Sequence, residues 1–109
     1  MGGFLFGANM STIKLKKPVN HDDKTISELT MRRPIVRDHI WLDHQKAKMN
    51  REGLVLDDVE KDAMMYARLA DVDIEVIQKL DMVDWGKCRR FYLSCLKDSD
   101  DSAQKTETN

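Results

Sequence analysis

Two short runs of alternating apolar and polar residues near the N-terminus constrain the fold of this chain more than any other feature. The first run covers residues 12–17, the second covers residues 25–32, and Pro34 follows shortly afterwards. Alternation with a period of two predicts β-strands that each have one buried face. The intervening residues 20–23, Asn-His-Asp-Asp, are of types that tolerate turn conformations. The sequence therefore predicts an N-terminal β-hairpin that ends at the proline.

The predicted hairpin is irregular, and it needs a covering layer. Ile26 falls on the opposite parity from Leu29 and Met31, which predicts a bulge or a twist near Ser27. A two-stranded hairpin is only marginally stable in water, so its apolar face must be covered. We expect hairpins of different chains to pair, giving a dimer or a larger ring with helices covering the apolar face; the alternative is a monomer in which the chain's own helices suffice. The apolar residues concerned are Ile13, Leu15, Leu29 and Met31.

The remainder of the chain is predicted to be helical. The expected helices cover about residues 36–49, 58–70, 74–80 and 82–96. Their boundaries are marked by Gly53 as a helix terminator and by Asp57 or Asp58, Asp73 and Asp81 as N-caps. The predicted fold class is therefore α+β: an N-terminal β-hairpin followed by a bundle of three to four helices and a disordered C-terminal tail.

The first and last of these helices have recognisable apolar faces. In the first helix, Val36, Ile40 and Ala47 share a face that Asp43 interrupts, with Trp41 to its side. The last helix has the clearest amphipathic pattern of the chain. Its apolar face consists of Trp85, Cys88, Phe91, Tyr92, Cys95 and Leu96.

Length and composition indicate a single small domain. The chain has 109 residues, of which 41% are hydrophobic and 34% charged, so we expect one modest core under a highly charged surface. We expect a disordered leader at residues 1–10, a folded domain at 11–97 and a disordered acidic tail at 98–109, which has no large apolar residue. No stretch approaches the length of a membrane span, so we expect a soluble, intracellular protein.

The sulfur-containing side chains indicate packing rather than chemistry. Cys88 and Cys95 are seven residues apart on one predicted helix, which separates their Cα atoms by about 10 Å, too far for a disulfide. We therefore expect two buried thiols in a reducing cytoplasm. The seven methionines have two interpretations: they fill gaps in the core, or they form a soft surface that repacks on a partner.

Charge is unevenly distributed although the net charge is only −1. Residues 1–54 carry ten basic and six acidic side chains, net +4, whereas residues 55–109 carry eight basic and thirteen acidic ones, net −5. This is a weak signal for nucleic acid, since a positive excess of four is spread over a hairpin and a helix.

Residues 70–97 nevertheless allow an alternative function. A short helix, a turn and a longer helix carrying Lys87, Arg89 and Arg90 could form a helix-turn-helix-like DNA-binding regulator. The turn at residues 81–84 is acidic where phosphates would approach, which opposes this hypothesis. We expect nucleic acid not to be a partner.

No pattern of residues indicates catalysis, a cofactor or a metal. His39 and His44 are five residues apart, which does not match the spacing of metal ligands on a helix. The acidic residues of 57–62 lack the glycine and the terminal glutamate of a calcium loop. Asp81 and Asp84 are explained as a helix cap and a first-turn carboxylate. With no glycine-rich phosphate loop and no activated nucleophile, we expect a protein that is not an enzyme.

In order and spacing, the chain resembles the small tail assembly chaperone family of contractile-tailed bacteriophages and prophages. The resemblance covers residues 12–97. Its first part rests on Ile13, Leu15, Pro18, Val19, Lys24, Thr25, Ile26, Leu29, Met31, Arg33, Pro34 and Asp38. Its second part rests on Ala67-Arg68-Leu69-Ala70, on residues 74–80 and on the step Leu80-Asp81-Met82-Val83-Asp84-Trp85. The turn departs from the family, which usually has Asp-Gly where this chain has Asp22-Asp23.

The resemblance implies a binding role. Proteins of this family coat the long, helical, aggregation-prone tape-measure protein during tail tube assembly and are generally absent from the finished virion. It implies that this chain binds the tape-measure protein and keeps it soluble in the host bacterial cytoplasm, without catalysis, a cofactor or a membrane partner. The candidate partner-binding residues, of which some must belong to the core, are Trp41, Leu42, Met64, Met65 and Tyr66.

Overall fold

The fold is α+β, as the sequence predicts. The computed structural model describes residues 10–107, and it describes side chains for residues 10–97. The elements in chain order are β1 (Met10–His21), β2 (Lys24–Arg32), α1 (Val36–Arg51), α2 (Asp58–Ala70), α3 (Ile74–Gln78) and α4 (Met82–Glu107). The predicted hairpin and the four predicted helices are therefore confirmed, in the predicted order.

The observed start of β1 and the observed end of α4 both differ from the predicted boundaries at the two ends of the chain. Met10, which the sequence analysis assigned to the leader, is the first residue of β1, and residues 1–9 lie outside the described part. The last helix extends to Glu107, beyond the expected end near Leu96. Side chains after Lys97 lie outside the described residues, and disorder of the tail stays a prediction.

The hairpin closes through a two-residue turn formed by Asp22 and Asp23. Both residues have positive φ angles, of 52° and 62°, while His21 and Lys24 already belong to the strands. Positive φ at both central residues is the feature of a type I′ turn, whose twist matches that of the flanking strands. Aspartate tolerates this left-handed conformation better than most residues, so the turn forms without the usual glycine.

A large bulge interrupts β1 opposite Ser27. Lys14 pairs with Glu28 and Val19 pairs with Ile26, so residues 15–18 of β1 face a single residue of β2. The irregularity therefore lies where the sequence predicted it, but the extra residues are in the first strand. A proline at position 18 is compatible with this place because a bulge does not need its missing N–H.

The hairpin packs one face onto the helices of its own chain. β1 contacts α3 and α4, and β2 contacts α2. The buried hairpin residues are Ile13, Leu15, Val19, Leu29 and Met31. At the centre of the helical layer, the ring of Tyr66 lies 5.0 Å from that of Trp85 and 5.7 Å from that of Tyr92. Helices of the same chain therefore cover the apolar face of the hairpin, and pairing of hairpins between chains stays a prediction.

The rotation of α1 differs from the prediction. Val36 and Ile40, on the predicted apolar face, are 76% and 49% exposed, and Ala47 is also exposed. The side of α1 that faces the protein carries Asp38, Trp41, Leu42, Gln45 and Met49. A pattern search treats an aspartate as a surface residue, whereas here a buried, ion-paired aspartate orients the helix.

The helix boundaries follow the capping rules with one exception. Gly53 has a φ of +82° beyond the end of α1, and the N–H of Leu54 donates to the Met49 carbonyl at 2.8 Å, which forms a Schellman motif. Asp57 and Glu60 form a reciprocal capping box at the start of α2. The exception is Asp73, which occupies the N-cap position of α3 without a side-chain capping bond.

The apolar face of α4 is mostly confirmed. Cys88 and Cys95 are buried and unbridged, and burial raises the pKa of the Cys88 thiol to about 11. Leu96, in contrast, is exposed.

Within the part of the chain that the structure describes, no helix combines the length and the hydropathy that crossing a membrane requires.

Candidate functional site

An apolar groove with a volume of about 600 Å³ is the clearest candidate for a binding site. It lies between α2, α3 and the first turn of α4, with the end of α1 at one side. Two lining residues, Glu60 and Gln78, are polar. The apolar lining consists of Met49, Leu56, Val59, Ala63, Met64, Ile74, Ile77, Leu80, Met82 and Trp85.

The groove has a rigid floor and an exposed apolar rim. Ala63 and Ile77 are buried and belong to the main core, which fixes the floor. At the rim, Val59 and Met82 are 63% and 75% exposed. Large apolar side chains that remain in water next to a concave apolar surface are typical of sites that bind another molecule.

A short loop extends this apolar surface beyond the groove. Leu54 is half-exposed and Val55 is 83% exposed, in the connection between α1 and α2. The hydrogen bond from the Leu54 N–H to the carbonyl of Met49 holds the loop beside a groove-lining residue. The apolar surface of the loop therefore lies next to that of the groove.

Five of the methionines divide between the core and the groove. Met31 and Met65 are buried in the core. Met49, Met64 and Met82 line the groove, where unbranched, polarisable side chains can adapt to a bound surface.

The five predicted partner-binding residues do not form one surface. Met65 and Tyr66 belong to the core, with exposures of 2% and 1%. Leu42 is partly buried and packs against the core. Met64 lines the groove and also lines a second cavity, whose wall includes Trp41. Val59 and Met82 were not among the predicted binding residues, because Val59 has the helical spacing of a core residue and Met82 stands at the start of α4. The available signal was the row of apolar residues at 54–56 just before α2.

A buried ion-pair network lies next to Trp41. The carboxylate of Asp38, which is 1% exposed, accepts two hydrogen bonds from the Arg32 guanidinium, at 2.7 Å and 2.8 Å, and one from Arg68 at 2.7 Å. The Ile35 N–H donates a further bond at 2.8 Å. The hydrogen bond from Arg32 is the main cause that holds the pKa of Asp38 well below its usual range, against the effect of burial.

This network holds α1 against its neighbouring elements. Arg68 lies over the ring of Trp41, with 4.7 Å between the guanidinium carbon and the ring centroid. Each oxygen of the Asp38 carboxylate accepts two hydrogen bonds, so four donors in all are directed at it. Asp38 therefore joins α1 to β2 through Arg32 and to α2 through Arg68.

The second buried carboxylate, Asp84, supports the bulge of β1. Its two oxygens accept hydrogen bonds from the backbone N–H groups of Lys16 and Lys17, at 2.7 Å and 3.0 Å. The Lys87 ammonium lies 3.3 Å from Asp84 and donates to the Lys14 carbonyl at 2.8 Å. Burial acts to raise the pKa of Asp84, but these hydrogen bonds outweigh it and the pKa is lowered.

Asp84 thus has a structural role that the sequence analysis did not identify. We had interpreted Asp84 as a carboxylate favoured by the helix dipole, and its contact with β1 goes beyond that. Asp81 is confirmed as a cap, since it accepts a hydrogen bond of 2.9 Å from the Val83 N–H. The two carboxylates therefore serve separate structural purposes.

One cluster of potential metal ligands occurs among the described residues, and neither His39 nor His44 belongs to it. It consists of His21, Asp22 and Asp73, whose ligand atoms lie within 4.8 Å of one another. Nε2 of His21 is 2.9 Å from the Asp73 carboxylate, so an ordinary hydrogen bond accounts for the arrangement. This bond also explains why Asp73 does not cap α3.

The basic residues of the alternative DNA-binding hypothesis differ in their engagement. Lys87 is occupied by Asp84 and by the carbonyl of Lys14. Arg89 and Arg90 are exposed on α4.

The fold is that of a small α+β domain with an apolar groove between its helices. A family model described as "Phage tail assembly chaperone proteins, E, or 41 or 14" matches residues 12–96, which is most of the chain. The chain belongs to this family, and its role is that of a phage tail assembly chaperone. Proteins of this family are generally non-catalytic. Comparison with curated proteins and with solved structures gave no match.

Proposed function

We propose that this chain is a non-catalytic chaperone that binds the phage tape-measure protein and keeps it soluble during assembly of the tail tube. Membership of the family supports the assembly role. The observation that carries the binding proposal is the apolar groove with its exposed rim residues Val59 and Met82.

The groove suits a client, meaning the protein that the chaperone binds, that exposes apolar helical surface. Before the tail tube has assembled around it, a long helical protein exposes apolar stripes to water. These stripes lead to aggregation unless they are covered. A concave apolar surface of about 600 Å³ can cover part of such a stripe. The methionines at 49, 64 and 82 let one groove fit successive stripes of different sequence.

Co-expression with the tape-measure protein encoded in the same genome tests the proposal. We expect the wild-type chain to move the tape-measure protein into the soluble fraction. The double variant Val59→Ser, Met82→Ser removes exposed apolar groups from the rim and should lower the soluble yield severalfold. Val36→Ser is the matched control, because Val36 is similarly exposed but lies on α1 outside the groove lining.

The outcomes separate a groove effect from a general one. If the tape-measure protein stays equally insoluble with and without the wild-type chain, the proposed function is wrong. Equal yields with the rim variant and the wild type would retain the chaperone role but place the client elsewhere. Circular dichroism of both variants verifies that the fold is intact.

The proposal includes the place of action. A chaperone that is displaced when the tube polymerises acts in the host cytoplasm and leaves before the virion is complete. Mass spectrometry of purified virions should therefore detect the tape-measure protein but not this chain. Stoichiometric amounts of the chain in virions would contradict this part of the proposal.

A further inference from the structure

We propose that the groove binds an amphipathic helix of the client that carries a Lys or Arg beside its apolar anchors, and that this cation pairs with Glu60. The inference rests on the proposed function and specifies the chemistry of the bound segment. Glu60 is the one charged residue among those that line the groove.

Glu60 has an unused carboxylate oxygen. Its Oε1 accepts a hydrogen bond of 3.1 Å from the Asp57 N–H in the capping box. Among the described residues, no hydrogen bond reaches Oε2 and no cation forms an ion pair with Glu60. The nearby exposed carboxylate of Asp58, in contrast, is paired with Lys61 at 3.2 Å. A cation from a partner would therefore find Glu60 available.

The position of Glu60 places this charge at the edge of an apolar surface. Along α2, residues 59, 60, 63 and 64 line the groove, so Glu60 is flanked by Val59 and lies one turn from Ala63 and Met64. A bound helix that inserts apolar side chains here presents its polar flank to Glu60. A cation on that flank gains an ion pair, whereas an acidic residue would be repelled.

The dimensions favour a short helical contact. The α2 residues that line the groove, 59 to 64, rise by about 7–8 Å along the helix axis. A partner helix crossing this surface inserts anchors at i, i+3 or i+4 and i+7, which span about 10 Å. About two helical turns therefore fill the groove, and a long client offers many such segments.

Overlapping peptides of about 20 residues that cover the tape-measure protein are the probe, with binding to the full chain measured by fluorescence anisotropy. We expect the binding peptides to share an apolar stripe flanked by Lys or Arg. Glu60→Gln should weaken their binding about two- to fivefold, as an exposed ion pair does. Glutamine can still accept the Asp57 hydrogen bond, so the capping box is kept. Asp58→Asn is the matched control, since it removes a neighbouring carboxylate that is not among the lining residues, and it should leave affinity nearly unchanged.

A double-mutant cycle makes the test specific. When the flanking Lys of a binding peptide is replaced by Gln, Glu60→Gln should have no further effect. If the peptides bind but Glu60→Gln and the peptide substitution act independently, the ion-pair inference is wrong and the proposed function stands. If neither the peptides nor the intact tape-measure protein bind the wild-type chain, the proposed function itself fails. Binding that is equally weakened by Asp58→Asn would indicate general electrostatic attraction and would also overturn the inference.

Discussion

The carboxylate of Asp84 accepts a hydrogen bond of 2.7 Å from the backbone N–H of Lys16, which lies 68 residues earlier in the chain. Through this bond the first turn of α4 supports the bulge of β1. Extra residues in a strand leave amide groups that the facing strand cannot pair. The buried carboxylate of Asp84 supplies acceptors for the amides of Lys16 and Lys17 in this bulge.

Asp84→Ala should destabilise the protein by about 2–3 kcal/mol, because it leaves the Lys16 and Lys17 amides without acceptors. Urea denaturation followed by circular dichroism measures the effect. Asp81→Ala is the matched control at the same helix start. It removes the capping bond to the Val83 N–H and a 4.0 Å ion pair with the exposed Lys17 side chain, and should cost about 1 kcal/mol. Equal losses in the two variants would show that the contact with the bulge contributes little.

Asp38→Asn should cost about 3 kcal/mol or more, because it leaves two arginines facing a neutral amide in a buried place. The variant should also loosen α1, whose position depends on Arg32 and Arg68. Faster hydrogen exchange in residues 36–51 than in α2 would report this loosening. Uniform changes across both helices would contradict the assignment of Asp38 as the residue that positions α1.

Stability should fall with acid, since both buried carboxylates have lowered pKa values in the folded state. An unfolded aspartate titrates at about pH 4, so the folded state binds fewer protons than the unfolded state below that pH. The contribution is complete above about pH 5 and is lost as the pH falls from about 4 towards the folded pKa values. Denaturation midpoints measured between pH 6 and pH 2 should fall more steeply for the wild type than for Asp38→Asn. Parallel curves would contradict the prediction.

Glycine should be the favoured residue at two positions with positive φ, Asp23 and Gly53. Asp23→Gly introduces the preferred residue at the second turn position and should stabilise the protein by about 0.5 kcal/mol. Gly53→Ala should destabilise it by about 1 kcal/mol. A Cβ at position 53 meets no atom within 4 Å, so the cost is one of backbone conformation alone. Thermal midpoints of the two variants measure both effects, and a neutral Gly53→Ala would refute the second.

Self-association through the hairpin remains a prediction. The sheet has two strands, and in the described part of the chain no further strand pairs with its outer edges. Backbone pairing between chains would satisfy those edges. Sedimentation equilibrium should give a dimer or a larger mass, and a monomer at high concentration would contradict this. Leu15→Lys is unsuitable as a test because Leu15 belongs to the core, so loss of the fold would obscure the result.

The sequence was sufficient for the local features of the fold. Alternation predicted both strands, and capping residues such as Gly53 and Asp57 marked helix boundaries to within a few residues. Such signals depend on neighbours in the chain, and they are therefore visible in the sequence alone.

The burial of Asp38 and Asp84 could not be predicted in this way. A carboxylate is expected at the surface unless donors from elsewhere neutralise it, and here those donors come from β1, β2 and α2. The groove is hidden for the same reason. Its lining comes from four helices and the connections beside them, and Val59 shows the periodicity of an ordinary core residue.

The bond between Asp84 and Lys16 also determines when, during synthesis, the bulge of β1 can complete its hydrogen bonds. β1 leaves the ribosome first among the described elements, but its bulge obtains an acceptor only after the beginning of α4 has been translated. Contacts over such a sequence distance form slowly, and until then the hairpin exposes apolar residues and unpaired strand edges. The nascent chaperone therefore passes through a stage in which it carries the same kind of hazard, exposed apolar surface, that it is proposed to cover on another protein.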